Sequence, residues 1–266
     1  MITRRNLLQT SGCLVCATGL THVAQSTERP RVFDGCAISS DGYQSFRTQN
    51  EGIASFSDGM FARNRHWRTT GNPSIDRDLD RAIGVVADLL NVSPAFGFYD
   101  PAYLHNPQGI ERDPWNAFAT NEATDIPGTW GTVAFSVNLF RDEFYNRDPS
   151  GVSLMTIIAH EFGHILQYKY GHQLQVGYPR KSEVNADYWS GYFLGSRKKA
   201  SPSLRFEKAG DMLLRFGSRN NNNQLRSHGD ARERIDAAEA GFRAAYVENR
   251  TFEQAMLAGL EYVGAK

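Results

Sequence analysis

Residues 152–170 of this 266-residue chain read VSLMTIIAHEFGHILQYKY, an apolar stretch interrupted near its middle by two histidines and a glutamate. Its apolar side chains recur at steps of three and four: Leu154, Ile157, Ile158, Phe162, Ile165 and Leu166. That spacing predicts an α-helix with a buried face. Gly171 follows the last periodic residue and is expected to end the helix.

The polar residues inside this helix have the spacing of a metal site. His160 and His164 are separated by just over one helical turn, so both imidazoles leave the same face, which suits two nitrogen ligands on one Zn2+ ion. Glu161 is offset by roughly 100° and would lie beside the ion, where it can hold a metal-bound water. The alternative is an amphipathic helix that holds these residues by chance. It would bury three polar groups at a cost in free energy.

A catalytic zinc site needs a third protein ligand and an open fourth position. His172 lies eight residues after His164, beyond the expected end of the helix, from where it cannot easily turn back. The longer pattern HExxHxxGxxH does not apply. Gln167 stands in place of its glycine, and Tyr170 stands in place of its third histidine.

Glu183 is the better candidate for the third ligand. It lies nineteen residues after His164, at the start of a predicted helix over Ser182–Gly195, and the loop 171–181 is long enough for that helix to double back antiparallel. Asp187 is on the same helix face and could accept the outer N–H of a ligating histidine. The alternatives are a first-turn acid favoured by the helix dipole for Glu183, and a solvated charge for Asp187.

Together the two segments, HExxH at 160–164 and ExxAD at 183–187, resemble the gluzincin metallopeptidases. Within that group they are most similar to the neutral zinc metallopeptidases and the CAAX-prenyl-protease-like peptidases. HILQ at 164–167 resembles the H-x-x-Q extension of the first helix, and residues 183–191 resemble the E-x-x-A-D-x-x-x-G helix.

Two weaker segments extend the resemblance over roughly Asn116–Phe242. HGDARER at 228–234, followed by Gly241-Phe242, is similar to an H-G-x-x-x-x-R…G-F segment, and NAFA at 116–119 is similar to an edge segment of the CAAX-like peptidases. The resemblance implies an α+β, mainly α fold with a zincin-like core, a small β-sheet and an HExxH active-site helix.

The resemblance also implies an activity, the hydrolysis of peptide bonds in a peptide or protein substrate. One zinc ion would be held by His160, His164 and Glu183, with Glu161 as the general base. His228 is the candidate donor to the oxyanion. Two alternatives stay open, namely a catalytically idle zinc-stabilised binding domain and a zinc hydrolase of non-peptide amide bonds.

The sequence also suggests roles for three further side chains and for one strand. Tyr188 and Tyr192 are alternative oxyanion donors or core residues. Arg234 is expected to pair with a buried acid, with a substrate contact as the alternative. Thr132–Val137 alternates and is rich in β-formers, and we nominate it as the exposed strand edge to which an extended substrate adds.

The remaining pattern predicts one domain, mostly helical with a small sheet. Its other elements are a helix with N-cap Asn72 and Pro73 at its first position, a strand at Phe96–Tyr99, and helices at Leu204–Phe216, Asp230–Val247 and Phe252–Tyr262. Ser182 is expected to cap the second motif helix, and Ser196–Ser203 to form a basic linker after it.

The first 26 residues are expected to be an export signal. Arg4-Arg5 is followed by a weakly polar stretch and the exit Ala24-Gln25-Ser26, which resembles a twin-arginine signal for a periplasmic or secreted protein. The alternative is a frayed helix. We divide the chain into this signal, an irregular lead-in over 27–71 and a catalytic domain over 72–266.

Charge and cysteine content agree with this division. The whole chain has 29 basic and 29 acidic residues, and without the signal 27 face 29, a balance that argues against nucleic-acid binding. No apolar run is long enough to be a transmembrane segment. Cys36 alone remains outside the signal, so no internal disulfide is expected.

Overall fold

The computed structural model describes residues 66–67, 72–99, 115, 117–120, 130–171, 179–218 and 231–264. Within these ranges the protein is mainly helical with a small sheet, as the sequence predicts. Its elements are β1 (His66–Trp67), α1 (Pro73–Leu90), β2 (Ala95–Tyr99), β3 (Ala117–Thr120), β4 (Thr132–Ser136), α2 (Val137–Arg141), a π-helical segment (Asp142–Arg147), α3 (Val152–Tyr170), α4 (Pro179–Ala200), α5 (Glu207–Ser218), α6 (Ala231–Tyr246) and α7 (Phe252–Tyr262). None of these helices has the length and apolar character needed to cross a membrane.

The sheet is mixed and has the strand order β1-β2-β4-β3. Strands β2 and β4 are parallel, whereas β3 pairs antiparallel with β4. Strand β4 therefore has a partner on each side, and all five of its residues are buried. The expectation that Thr132–Val137 is an exposed edge is wrong. Among the described strands, β3 is the edge on that side, and Val137 already belongs to α2.

Helix α3 has the predicted bounds and lies at the centre of the molecule. It packs against β3 and β4 of the sheet and against α1 and α4. Fifteen of its residues are buried, including the central histidine–glutamate pair His160 and Glu161. Gly171 ends the helix with a φ of 58°, in the left-handed region where glycine is favoured.

Glycines and alanines bring α3, α4 and α6 unusually close. A Cβ at Gly163 would lie 3.0 Å from the Cα of Ala186, so α3 and α4 nearly touch there. Between α4 and α6 a Cβ at Gly191 would lie 1.9 Å from the Ala238 carbonyl oxygen, and one at Gly241 would lie 1.8 Å from the Tyr188 carbonyl oxygen. These contacts are possible only without side chains, and they set the spacing of the helices that carry the site.

Other sequence predictions differ from the structure mainly at helix ends. Asn72 caps α1 as predicted, and its side chain accepts hydrogen bonds from the main-chain N–H groups of Ser74 and Ile75. The cap predicted at Ser182 is wrong, because α4 begins at Pro179 and buries Ser182. The linker predicted at Ser196–Ser203 is wrong over its first half, since α4 continues to Ala200.

The predicted signal, residues 1–26, lies outside the described residues. So does nearly all of the predicted lead-in, except that His66–Trp67 forms β1 and pairs antiparallel with β2.

Candidate metal centre

Three side chains from α3 and α4 bring their ligand atoms together. Nε2 of His160 lies 3.3 Å from Oε2 of Glu183, and Nε2 of His164 lies 3.5 Å from Oε1 of the same carboxylate. One ligand atom from each residue fits within 4.8 Å of the other two. Two imidazole nitrogens and a carboxylate oxygen form a donor set that suits zinc, so these residues could hold a metal ion.

The antiparallel packing of α3 and α4 explains why residues distant in sequence meet. Contacts along the two helices run in opposite order, from Gln167 with Ser182 through Gly163 with Ala186 to His160 with Asp187. The expectation that the second helix doubles back is thereby confirmed. The close approach at Gly163 places Glu183 within reach of both imidazoles.

The outer nitrogen of His160 is held by a buried ion pair. Its Nδ1 lies 2.9 Å from Oδ1 of Asp187, which is fully buried. Arg234 of α6 donates two hydrogen bonds to this carboxylate, from Nε at 2.7 Å and from Nη2 at 2.9 Å. Asp187 therefore stands behind His160 as expected, and Arg234 pairs with a buried acid as expected. The charge of Arg234 balances that of the aspartate.

The outer nitrogen of His164 has a different kind of partner. Its Nδ1 lies 3.1 Å from Oε1 of Gln167, a side chain that is also fully buried. The sequence places Gln167 in the H-x-x-Q resemblance and in the glycine position of the HExxHxxGxxH pattern, but predicts no role for it. The available signal was its position three residues after His164, which places the two side chains on one face of the helix.

The charges of the site shift several pKa values. Burial opposes the charged form of His160, but the Asp187 and Glu183 carboxylates outweigh it and raise the pKa of His160 to about 10. Burial raises the pKa of Glu161, although the two histidines oppose the change. For Asp187 the effect of burial is outweighed by Arg234 and His160, and the pKa of Asp187 is lowered.

Two of the proposed oxyanion donors lie in the core. Tyr188 is 2% exposed, and the hydroxyl of Tyr192 donates to the main-chain carbonyl of Arg250 at 3.0 Å. Both are therefore core side chains and not oxyanion donors, which was the alternative expected for them. His228, the first candidate, lies outside the described residues.

A tyrosine that sequence reasoning missed connects the site to the sheet edge. Tyr168 lies one turn after His164, and its hydroxyl donates to the main-chain carbonyl of Ala119 in β3 at 3.3 Å. Burial and the negative charges of Glu161 and Glu183 raise the pKa of Tyr168 to about 12, so it stays protonated at neutral pH. Its four-residue spacing from His164 was visible in the sequence, but its contact with Ala119 was not.

Comparisons with models of protein families, with curated protein sequences and with solved structures found no match to this chain.

Proposed function

We propose that this protein is an exported zinc-dependent endopeptidase. The observation that carries the proposal is the convergence of the His160 and His164 Nε2 atoms on the Glu183 carboxylate, with Glu161 next to His160 on the same helix. The resemblance of the protein's sequence to the gluzincin metallopeptidases supports the same activity and a zincin-like core.

The donor set favours a catalytic over a structural site. Structural zinc sites are filled by four protein ligands, whereas catalytic sites use three and leave a position for water or substrate. Among the described residues, the group that could hold a metal has three members, His160, His164 and Glu183. A structural site also has no need of a glutamate beside the ligands.

Glu161 is the residue that would move protons. A zinc ion held by His160, His164 and Glu183 supplies a Lewis acid, which polarises a carbonyl and makes water more acidic. Glu161 would accept a proton from the attacking water and pass it to the amine that leaves when the peptide bond breaks. Its burial suits this role, because a raised pKa brings a carboxylate closer to the working pH. His228 stays the proposed donor to the oxyanion.

An extended substrate would add to the side of β3 on which no described strand lies, and not to β4. An added strand needs unpaired main-chain groups, and β4 is paired on both sides. Strand β3 packs against α3 and is tied to it by Tyr168. A peptide on that edge would run next to the helix that carries the metal ligands.

The proposal is tested by metal analysis and casein hydrolysis of the chain from residue 27 onwards, beside Glu161→Gln. We expect about one zinc ion in both proteins and hydrolysis only in the unsubstituted chain. Glu239→Gln is the matched control, because Glu239 is an exposed glutamate on α6 and its substitution should preserve activity.

Each other outcome has a defined meaning. If both proteins contain zinc and neither cleaves casein or a peptide library, the idle binding domain replaces the endopeptidase. If only non-peptide amides are cleaved, the protein is instead a zinc hydrolase of non-peptide amide bonds. Glu183→Ala should weaken zinc binding strongly, and unchanged binding would remove Glu183 from the ligand set. Export is tested separately, by replacing Arg4-Arg5 with lysines and measuring secretion of a folded reporter.

A further inference from the structure

Gln167 joins the two helices that carry the metal ligands. On one side its Oε1 lies 3.1 Å from Nδ1 of His164 on α3. On the other side its Nε2 donates to the main-chain carbonyl of Ser182 at 2.8 Å and to Oδ1 of Asn185 at 3.2 Å, both on α4. The Ser182 hydroxyl also donates to Oε1 of Gln167. All the hydrogen-bonding capacity of this buried amide is therefore directed at the site and its support.

These contacts determine which way round the amide lies. A main-chain carbonyl can only accept hydrogen bonds, so the atom of Gln167 facing Ser182 must be the NH2 group. The oxygen of the amide must then face His164. The Ser182 hydroxyl also lies 3.5 Å from Nδ1 of His164, but its hydrogen is donated to Oε1 of Gln167. Because an amide oxygen is only an acceptor, Nδ1 of His164 carries the hydrogen in its contact with Gln167.

The orientation of Gln167 in turn selects the tautomer of His164. With the hydrogen on Nδ1, the neutral ring has its lone pair on Nε2, the atom that faces the Glu183 carboxylate at 3.5 Å. A chain of donors thus runs from the ring of His164 through Gln167 to the main chain of Ser182, the residue that directly precedes Glu183. Gln167 thus orients one candidate ligand, His164, and is hydrogen-bonded to the turn of α4 that carries the other, Glu183.

We propose that Gln167 is a positioning residue of the metal centre, which sets the tautomer of His164 and its register with Glu183. This inference rests on the zinc site of the proposed function and deepens it. The two histidine ligands then have unlike outer partners, a charged aspartate–arginine pair behind His160 and a neutral amide behind His164.

A neutral partner suits this side of the site. A carboxylate at position 167 would place its oxygens against the Ser182 carbonyl and add a negative charge near Glu161 and Glu183. Two acceptors in contact without a proton are unfavourable in a buried location. The amide supplies an acceptor for His164 and a donor for Ser182 at once, which no acidic side chain does when ionised.

The test measures zinc affinity by competition with a chromophoric chelator. Gln167→Met retains the length and apolar bulk of the side chain but removes the acceptor and the donor, and Gln167→Leu is made in parallel because its shape differs. We expect affinity for Zn2+ to fall about 10- to 100-fold, the range found when outer partners of metal ligands are lost.

A matched control separates positioning from loss of fold. Thr156→Val removes another fully buried polar group of α3, whose hydroxyl donates to the Val152 carbonyl of the same helix at 2.8 Å. Urea unfolding of the metal-free proteins compares their stabilities, and whichever Gln167 variant is folded is titrated. Thr156→Val should bind zinc as the unsubstituted chain does, even where its loss of stability is equal.

A spectroscopic signature adds a readout that a purely structural role would not move. In the zinc complex with nitrogen-15-labelled histidine, His164 should show an Nδ1-bound hydrogen that exchanges slowly with solvent, and this signal should be lost in the Gln167 variants. Zinc affinity within twofold of the unsubstituted chain, or an unchanged His164 signal, would overturn the inference. If the unsubstituted chain itself binds no zinc, the proposed function fails and not this step alone.

Discussion

Gly241→Ala tests how the helix spacing controls the site. Gly241 lies on α6 where it crosses α4, and a Cβ there would be 1.8 Å from the carbonyl oxygen of Tyr188 and 2.8 Å from the main-chain nitrogen of Tyr192. Both obstacles are main-chain atoms, so no change of rotamer relieves the clash. Reaching even the 3.0 Å limit seen for real Cβ contacts requires the helices to separate by about 1.2 Å.

That displacement reaches the candidate metal centre through Arg234. Arg234 lies two turns before Gly241 on the same helix, and its hydrogen bonds to Asp187 are 2.7 and 2.9 Å long. A shift of about 1 Å lengthens them beyond hydrogen-bond range. Overpacking costs about 1–3 kcal/mol, and loss of one partner of a buried ion pair costs about 3–5 kcal/mol. Because alanine improves helix propensity by about 1 kcal/mol, we expect a net loss of about 3–7 kcal/mol.

The assay is urea unfolding of the metal-free proteins, followed by a zinc titration of those that fold. Gly210→Ala is the matched control, because Gly210 lies within α5 and a Cβ there has no heavy atom within 4 Å. It should raise the free energy of unfolding by about 0.5–1 kcal/mol. If Gly241→Ala unfolds within about 1 kcal/mol of the unsubstituted chain and binds zinc equally well, the close approach of α4 and α6 does not control the site.

Three further expectations concern the site itself. Asp187→Asn removes the charge between His160 and Arg234, and zinc affinity measured by chelator competition should fall about 10- to 100-fold; equal affinity would contradict this. Zinc binding at neutral pH should release protons, because His160, with a pKa raised to about 10, is charged in the metal-free protein and binds metal only when neutral. Calorimetry in two buffers of unlike ionisation enthalpy counts these protons, and the affinity should increase with pH towards about 10. Tyr168→Phe removes the hydrogen bond that ties the edge strand β3 to α3, so the strand is held less firmly and KM for a peptide should rise while zinc affinity stays unchanged; an unchanged KM would contradict the placement of substrate on β3.

The pKa of His160 also has a consequence for the metal-free fold. Its value is raised from 6.5 to about 10, so the charged ring stabilises the folded state. This contribution is fully present below pH 6.5 and is lost as the pH rises through about 10. Asp187 acts in the opposite direction, because its pKa is lowered. Its contribution is present above its unfolded pKa and is lost as the pH falls through the folded value.

The local sequence pattern correctly predicted those features that depend only on residues close together along the chain. The bounds of α3, the cap at Asn72 and the shared face of His160 and His164 follow from helix geometry alone. Glu183 was reachable because a third ligand had to come from a following helix that folds back. The end of α4 was misplaced, since burial against α6 carries the helix past the residues that looked like a linker.

The position of a strand within its sheet cannot be predicted from the local sequence of that strand. Thr132–Ser136 has the alternation of a half-buried strand, and nothing in five residues says whether partners lie on one side or on both. Its pairing partners in β3 and β2 lie 12 to 37 residues away along the chain, and this pairing moved the expected substrate edge from β4 to β3.

Helix periodicity alone specifies which chemical groups are available, namely two imidazoles, an adjacent glutamate and further acids at helical spacing. How those groups are held follows from the packing of the helices against one another. Asp187 with Arg234 behind one histidine, and Gln167 with Ser182 behind the other, are contacts between helices. They depend on a main-chain approach that Gly163 and Gly241 permit, and periodicity along one helix carries no information about the distance to the next.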